Sequence, residues 1–323
     1  MSAPITELLS PIADDMAAVD AVIRDRLDSE VVLIRTIGDY IIGAGGKRLR
    51  PALVLLIAKN LGYEGDKNAV MAAVVEFIHT ATLLHDDVVD DSDLRRGKST
   101  ANAVFGNPAS VLVGDYLYSR AFEMMVEVNS MDIMRIMSEA TTIISEGEVL
   151  QLLNVNDPEV TEERYLQVVR FKTAKLFEAA ASAGALLANA TTEQQVAASD
   201  YGRHLGTAFQ LIDDLLDYSG NAETLGKTVG DDLREGKPTL PLLRVLSVGT
   251  DEQKALIRKA IATGEGDFEA VAHAIQQTDA LDHTRKAAEA EIEMAIEATQ
   301  SLPDNEIRAV LQKVAGLSLR RDN

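Results

Sequence analysis

Apolar positions recur at helical spacing along almost the whole chain, and the spacing lapses mainly at glycine or proline. Residues 12–27 alternate Ile, Val and Leu with Asp and Arg. A second segment, 31–42, is broken by Gly43-Ala44-Gly45-Gly46, and a third, 51–61, stops at Gly62. Residues 66–91 predict a long apolar helix that runs into Asp86-Asp87-Val88-Val89-Asp90. Pro108 opens the next predicted helix, 109–128, at a position that tolerates proline. Helices follow at 131–154, 161–189 and 192–218, broken at Asp157-Pro158 and Thr191-Thr192, with Thr161 ahead of Glu163 and Arg164 as a start signal. A glycine-rich stretch, 219–238, precedes shorter helices near 239–247, 251–262, 267–278, 281–301 and 305–318. No linker or shift in composition divides the 323 residues, so the expectation is one all-α domain over 1–323.

The helix over 192–218 ends in Asp213-Asp214-Leu215-Leu216-Asp217, the same D-D-x-x-D spelling as at 86–90. Each cluster follows an apolar run, Ala81 to Leu84 in one case and Phe209 to Ile212 in the other. Burying an unpaired charge is costly. One such cluster reads as a solvated helix end; two point to a site in which cations hold the charge. Asp86 and Asp90, like Asp213 and Asp217, are four apart and share a helix face. Oxygen-only ligands at this spacing suit a hard divalent ion, Mg²⁺ above all, which takes a few carboxylates together with substrate phosphate oxygens. Neither cluster has the central glycine of an EF-hand loop.

Composition narrows the partners. Apolar residues make up 46% and aromatics only 4%, without Trp, so the core is expected to be aliphatic. The net charge of -20 argues against nucleic acid. The absence of Cys removes disulfides and thiolate metal sites. The first residues lack the basic region and apolar run of a signal peptide, and no uncharged apolar stretch reads as a membrane span, so a cytoplasmic location is expected.

Basic residues gather around the clusters. Gly45-Gly46-Lys47-Arg48-Leu49-Arg50 begins a helix after a turn, an arrangement that can hold an anion. Arg95-Arg96-Gly97-Lys98 follows the first cluster, either as surface ion pairs or as anion ligands. Lys172-Thr173, Lys227 and Lys237 flank the second. Carboxylates, metals and lysines together describe a diphosphate site. His79 shares the face of Asp86 two turns earlier, as a core histidine or a substrate contact; His85 reads as structural; Gln210 shares the face of Asp213.

With these residues in place, the chain resembles the trans-type isoprenyl diphosphate synthases, and among them the bacterial octaprenyl diphosphate synthases. The resemblance covers nearly the whole chain. It is carried by GGKRLRP at 45–51, EFIHTATLLHDDVVDDSDLRRGK at 76–98, VLVGDYLYSRAF at 111–122, EGEVLQLLNVND at 146–157, KTAKLFEAA at 172–180, GTAFQLIDDLLDY at 206–218 and LGKTVGDDLREGKPTLPLL at 225–243. It implies a single bundle of long helices around a central cavity. It also implies Mg²⁺-dependent condensation of several isopentenyl diphosphates onto an allylic diphosphate such as farnesyl diphosphate, giving octaprenyl diphosphate for quinone side chains. By the same resemblance Asp86, Asp90 and Asp213 hold the Mg²⁺ ions, supported by Asp87, Asp214 and Asp217. Arg95, Lys172, Thr173, Gln210, Lys227 and Lys237 stabilise the allylic diphosphate, and Lys47, Arg50, His79 and Arg96 hold isopentenyl diphosphate. The catalytic set is then Asp86, Asp90, Asp213, Lys172 and Lys227.

Short-chain members carry bulky aromatics where this chain has Ala81 and Thr82, so small residues here leave room for a long product. Met125 and Met137, with Phe122 and Met134 nearby, are candidates for the tunnel floor or are plain core. A homodimer is implied, with the apolar 111–125 segment as interface or as core. Hepta- and nonaprenyl products are the alternatives in length. A terpene cyclase would not need the second diphosphate pocket of Lys47, Arg50 and Arg96, and a non-catalytic partner subunit typically loses aspartates from one cluster; both clusters are intact here.

Overall fold

Capping chemistry sets several helix starts in the structure, a computed structural model that describes residues 3–43, 45–95, 97–219 and 230–319. Thr161 accepts the amide of Arg164, Thr250 and Gln253 form a reciprocal capping box, and Asp267 accepts the amides of Glu269 and Ala270. In chain order the helices are α1 (Ala3–Leu8), α2 (Ala13–Arg26), α3 (Val32–Gly43), α4 (Leu49–Asn60), α5 (Asn68–Val89), α6 (Ala101–Phe105), α7 (Asn107–Val128), α8 (Met131–Asn154), α9 (Glu162–Val168), α10 (Lys175–Leu187) and α11 (Thr192–Ser219). After them come α12 (Asp231–Arg234), α13 (Leu240–Val248), α14 (Asp251–Thr263), α15 (Phe268–Gln277), α16 (Ala280–Ala298) and α17 (Glu306–Leu319). The all-α expectation is met. Strand pairing among the described residues is one short antiparallel ladder, β1 (Leu94–Arg95) on β2 (Lys98–Ser99).

One predicted helix differs in detail. The segment expected to run unbroken over 161–189 is α9, a π-helical turn at Val169–Ala174, and then α10. The turn lies against α8 at Gly147, where a Cβ would sit 2.6 Å from the backbone nitrogen of Lys172. Widened turns of this kind recur at functional sites, and this one carries Lys172 and Thr173.

Contacts divide the chain into two compact units. The first comprises residues 1–139, 176–202 and 296–314. Its central helix is α5, packed on α2, α4 and α7. Helix α5 is apolar on nearly every face, with Met71, Val74, Val75, Ile78, Ala81 and Leu84 all fully buried. By length and composition it is apolar enough to cross a membrane, against the expectation that no stretch would be; 56% of that window is packed inside the unit, as in a core helix. Tyr201, Phe77 and Phe177 are the largest fully buried side chains, and Ile, Leu and Met make up the rest of the largest group, so the core is mainly aliphatic as composition predicted. The glycine at 184 lets α10 approach α4, since a Cβ there would lie 2.6 Å from the Val54 carbonyl oxygen.

The second unit comprises residues 140–175, 203–295 and 315–323. One of its apolar clusters joins Tyr165 and Val169 to Leu211, Ile212, Leu240 and Leu243. Another joins Tyr218 and Leu233 to Ile257, Ile261, Val271 and Ile275. The two clusters anchor the carboxyl end of α11, where the second aspartate run lies.

Candidate active site

The first aspartate run falls on the last turn of α5 and its cap. A helix carboxyl end already carries partial negative charge, so three acids there need positive partners. Asp86 and Asp90 are half-buried and lie one turn apart, joined by the Asp90 amide on the Asp86 carbonyl at 2.8 Å. Asp87 is 1% exposed and turns inward. Arg95 meets it from β1 with Nε and a terminal nitrogen, each 2.6 Å from Oδ1. Burial holds the Asp87 carboxyl above the usual range, with Asp86 and Asp90 adding to the rise and Arg95 opposing it. The chain reverses through Asp91 at φ 50 and returns along the small hairpin, where Asn102 Nδ2 donates to the Asp87 and Ser92 carbonyls.

Two residues assigned to isopentenyl diphosphate meet in the same unit. Arg50, on the first turn of α4, approaches His79 of α5 at 3.2 Å, and its guanidinium lies 4.4 Å from the centre of the Phe177 ring. Arginine commonly combines such stacking on an aromatic face with recognition of anions. Lys47 is half-buried in the loop before α4. Between them Arg48 takes a left-handed conformation (φ 50) at the cap of α4 and pairs with Glu76 at 3.1 Å and Asp20 at 3.8 Å. Gly45 (φ 77) makes the turn that lets this loop approach the helix start.

His85, read from the sequence as structural, is half-buried. Its Nε2 lies 3.2 Å from the Val111 carbonyl and 3.2 Å from Asp115, in a space that exists because residue 114 is glycine. Ala81 is fully buried and Thr82 half-buried, its hydroxyl bonded to the His79 carbonyl at 2.8 Å. Met125 and Met137 are fully buried. A narrow crevice in this unit is lined by Ile23, Ile42, Glu76, Phe77, Thr80 and Leu117, without any of those four residues.

The second run, at the end of α11, is built differently. Asp213 is half-buried, but Asp214 is 3% and Asp217 0% exposed. Tyr165 of α9 donates its hydroxyl to Asp214 Oδ2 at 2.5 Å, and Gln210 donates Nε2 to Asp214 Oδ1 at 2.7 Å. Thr173, on the π-helical turn, donates to Gln210 Oε1 at 2.8 Å. Burial and the nearby charge of Asp232 push Asp214 up to about 8, against the two hydrogen bonds. Asp217 accepts the Asp232 amide at 3.2 Å, at the start of α12. Thus Thr173 and Gln210, both expected on the allylic diphosphate, and Asp214, expected at the metal, form one hydrogen-bonded line.

Lys172 pairs with Glu148 of α8 at 2.6 Å, and Lys237 with Glu235 at 2.5 Å. Both lysines are only 17% exposed. Arg96 and Lys227 lie outside the described residues. Sequence reading missed Tyr165, Glu148 and Asp232. Tyr165 had a usable signal, since it stands seven residues, two helical turns, before Lys172 in an apolar stretch, and a buried tyrosine needs a partner for its hydroxyl.

Among the described residues no three His, Asp or Glu side chains form a ready cage for a metal ion. The donor set still fits a hard cation. In the first unit Asp86 and Asp90 carry carboxylates one turn apart; in the second unit, taken by itself, Asp213 is the half-buried acid of its cluster. Mg²⁺ characteristically takes one or two carboxylates and fills its shell with water and phosphate oxygens.

Comparison with known proteins then places the chain. A protein-family model described as polyprenyl synthetase matches residues 31–278. Octaprenyl diphosphate synthase of Escherichia coli is 55% identical over 312 residues, 96% of this chain and 97% of that protein. The Haemophilus influenzae enzyme of the same description is 50% identical, over 97% of this chain and 96% of its own. A crystal structure of polyprenyl synthase from Caulobacter crescentus, complexed with calcium and isoprenyl diphosphate, matches with a TM-score of 0.95 at 44% identity, covering 99% of this chain and 98% of that one.

Proposed function

The chain belongs to the polyprenyl synthetase family, and from that premise we propose that it is the Mg²⁺-dependent synthase of octaprenyl diphosphate, a precursor of quinone side chains. It is a prenyltransferase of the trans-polyprenyl diphosphate synthase type. The octaprenyl length draws support from the two relatives at 55% and 50% identity. The observation that carries the reading is the pair Asp86 and Asp90, half-buried, one turn apart, at the end of an apolar helix.

In the proposed reaction farnesyl diphosphate loses its diphosphate as the allylic C–O bond breaks. The alkene of isopentenyl diphosphate forms the new C–C bond, and a proton passes to the released diphosphate. Asp86, Asp90 and Asp213 are the proposed cation ligands, with Asp87, Asp214 and Asp217 holding the local structure around them. The bound cations would supply charge neutralisation for the departing group. Lys172, Lys227, Lys237 and Arg95 would add positive charge, and Gln210 and Thr173 hydrogen bonds, to stabilise the departing diphosphate. Lys47, Arg50, His79 and Arg96 orient isopentenyl diphosphate; the Arg50–His79 contact supports two members of that set.

We further propose a single polyprenyl synthase domain over 1–323, supported by a family match that extends through parts of both units. A cytoplasmic homodimer is also proposed. Within the 111–125 segment Val113, Leu117, Ala121, Met124 and Met125 are core, so the proposed interface draws on exposed α7 residues such as Leu112 (67%) and, one residue beyond the segment, Val126 (66%). Ala81 and Thr82 are proposed to admit the growing chain, with Met125 and Met137 as its floor.

The test is incubation of the purified protein with Mg²⁺, farnesyl diphosphate and labelled isopentenyl diphosphate, with products sized by chromatography. A forty-carbon product is expected. Thirty-five or forty-five carbons would reassign the length, a cyclic hydrocarbon would replace the reading with a terpene cyclase, and no turnover would overturn it.

A further inference from the structure

Tyr165 belongs to none of the motifs, yet the buried middle carboxylate of the second cluster rests on its hydroxyl. Its ring packs in the apolar cluster that includes Val160, Val169, Leu211 and Leu243. Those contacts would hold a phenylalanine equally well, so packing does not account for the oxygen. The O–H leaves the cluster and donates to Asp214 Oδ2 at 2.5 Å. The other oxygen of Asp214 takes Nε2 of Gln210 at 2.7 Å, and Oε1 of Gln210 takes the Thr173 hydroxyl at 2.8 Å.

The direction of these bonds matters. Asp214 takes the Tyr165 hydroxyl on one oxygen and Gln210 Nε2 on the other, and the Thr173 hydroxyl takes Gln210 Oε1, so each polar atom of the Gln210 amide faces a named partner. With one N–H committed to Asp214, the second N–H of Gln210 keeps a fixed orientation and is the donor left for an anionic ligand. Asp214 can impose that order only while its own rotamer is held, and Tyr165 holds it from the far side.

We propose that Tyr165 is a positioning residue for the allylic diphosphate: through Asp214 it sets the amide of Gln210 and the hydroxyl of Thr173. The proposal rests on the synthase reading above. It concerns the allylic substrate, because Thr173 and Gln210, the two ends it orders, are the residues proposed for that diphosphate.

The test is Tyr165→Phe, which removes one oxygen and keeps the ring. Both KM values are measured, and binding of farnesyl thiodiphosphate, an unreactive allylic analogue, is followed by calorimetry with Mg²⁺. We expect the KM for farnesyl diphosphate and the Kd of the analogue to rise about tenfold, the scale of one lost buried hydrogen bond. The KM for isopentenyl diphosphate should stay within about twofold. In a Gln210→Ala background the same change should add less than about twofold, because the amide it orients is gone. An equal rise in both KM values, or full additivity with Gln210→Ala, would overturn the assignment and leave Tyr165 a general stabiliser. An active wild type with an unaltered Tyr165→Phe refutes the Tyr165 role alone; a wild type without chain extension refutes the synthase reading itself.

Discussion

The two aspartate runs are spelled alike and end similar long helices, α5 and α11, yet they distribute their carboxylates differently. In the first, the outer pair Asp86 and Asp90 is half-buried and the middle acid is locked to Arg95. In the second, only Asp213 is half-buried; Asp214 is held by Tyr165 and Gln210, and Asp217 accepts the amide of Asp232. The difference comes from what each run packs against. A hairpin brings a guanidinium to Asp87, whereas α9 and α12 bring a phenol and a backbone amide to the second run. The motif sets which atoms are available, and the neighbours decide which of them remain for a ligand.

The sharpest test of that contrast is activity. Asp86→Asn or Asp90→Asn should lower kcat by about 10³-fold with little change in Tm, the scale expected when a group stabilising transition-state charge is lost. Asp217→Asn should act mainly on stability, lowering Tm. If it instead cost as much activity at unchanged Tm, the two runs would be equivalent and the contrast would fail.

Arg95→Ala is next in size. It leaves the buried Asp87 without its cation and should destabilise the protein by about 2–3 kcal/mol in urea unfolding. Asp214→Asn should cost less, about 1 kcal/mol, because its oxygen still accepts from Gln210 while its nitrogen faces the Tyr165 hydroxyl, which must turn from donor to acceptor. A neutral result for Asp214→Asn would mean that these two bonds do not hold the second run. Gly147→Ala forces a Cβ to within 2.6 Å of the Lys172 amide. It should cost about 1–2 kcal/mol and lower kcat by displacing the π-helical turn, with isopentenyl diphosphate KM unchanged.

Much of this architecture was legible beforehand. The predicted 131–154 helix is α8, and 192–218 became α11 with one more residue, because long periodic runs leave little choice of conformation. The hairpin was not legible, since two-residue strands are too short to show alternation. The π-helical turn was not legible either, because its cause is distant in sequence: a glycine in α8 that lets that helix close on it. Likewise the pairing of Arg95 with Asp87 was not legible, because it depends on how the chain turns after α5.

The sequence by itself determined the chemistry: six carboxylates in two helical runs, basic residues beside each, an aliphatic core and no thiols. Those are local properties, set by residue type and by a spacing of 3.6 per turn. Only the tertiary structure decided how the six acids divide. Burial, and the arrival of Arg95, Tyr165, Gln210 and the Asp232 amide from elsewhere in the chain, turned three of them inward and left Asp86, Asp90 and Asp213 half-buried. Solvation and hydrogen bonding depend on what surrounds a group, and identical spellings therefore had different fates.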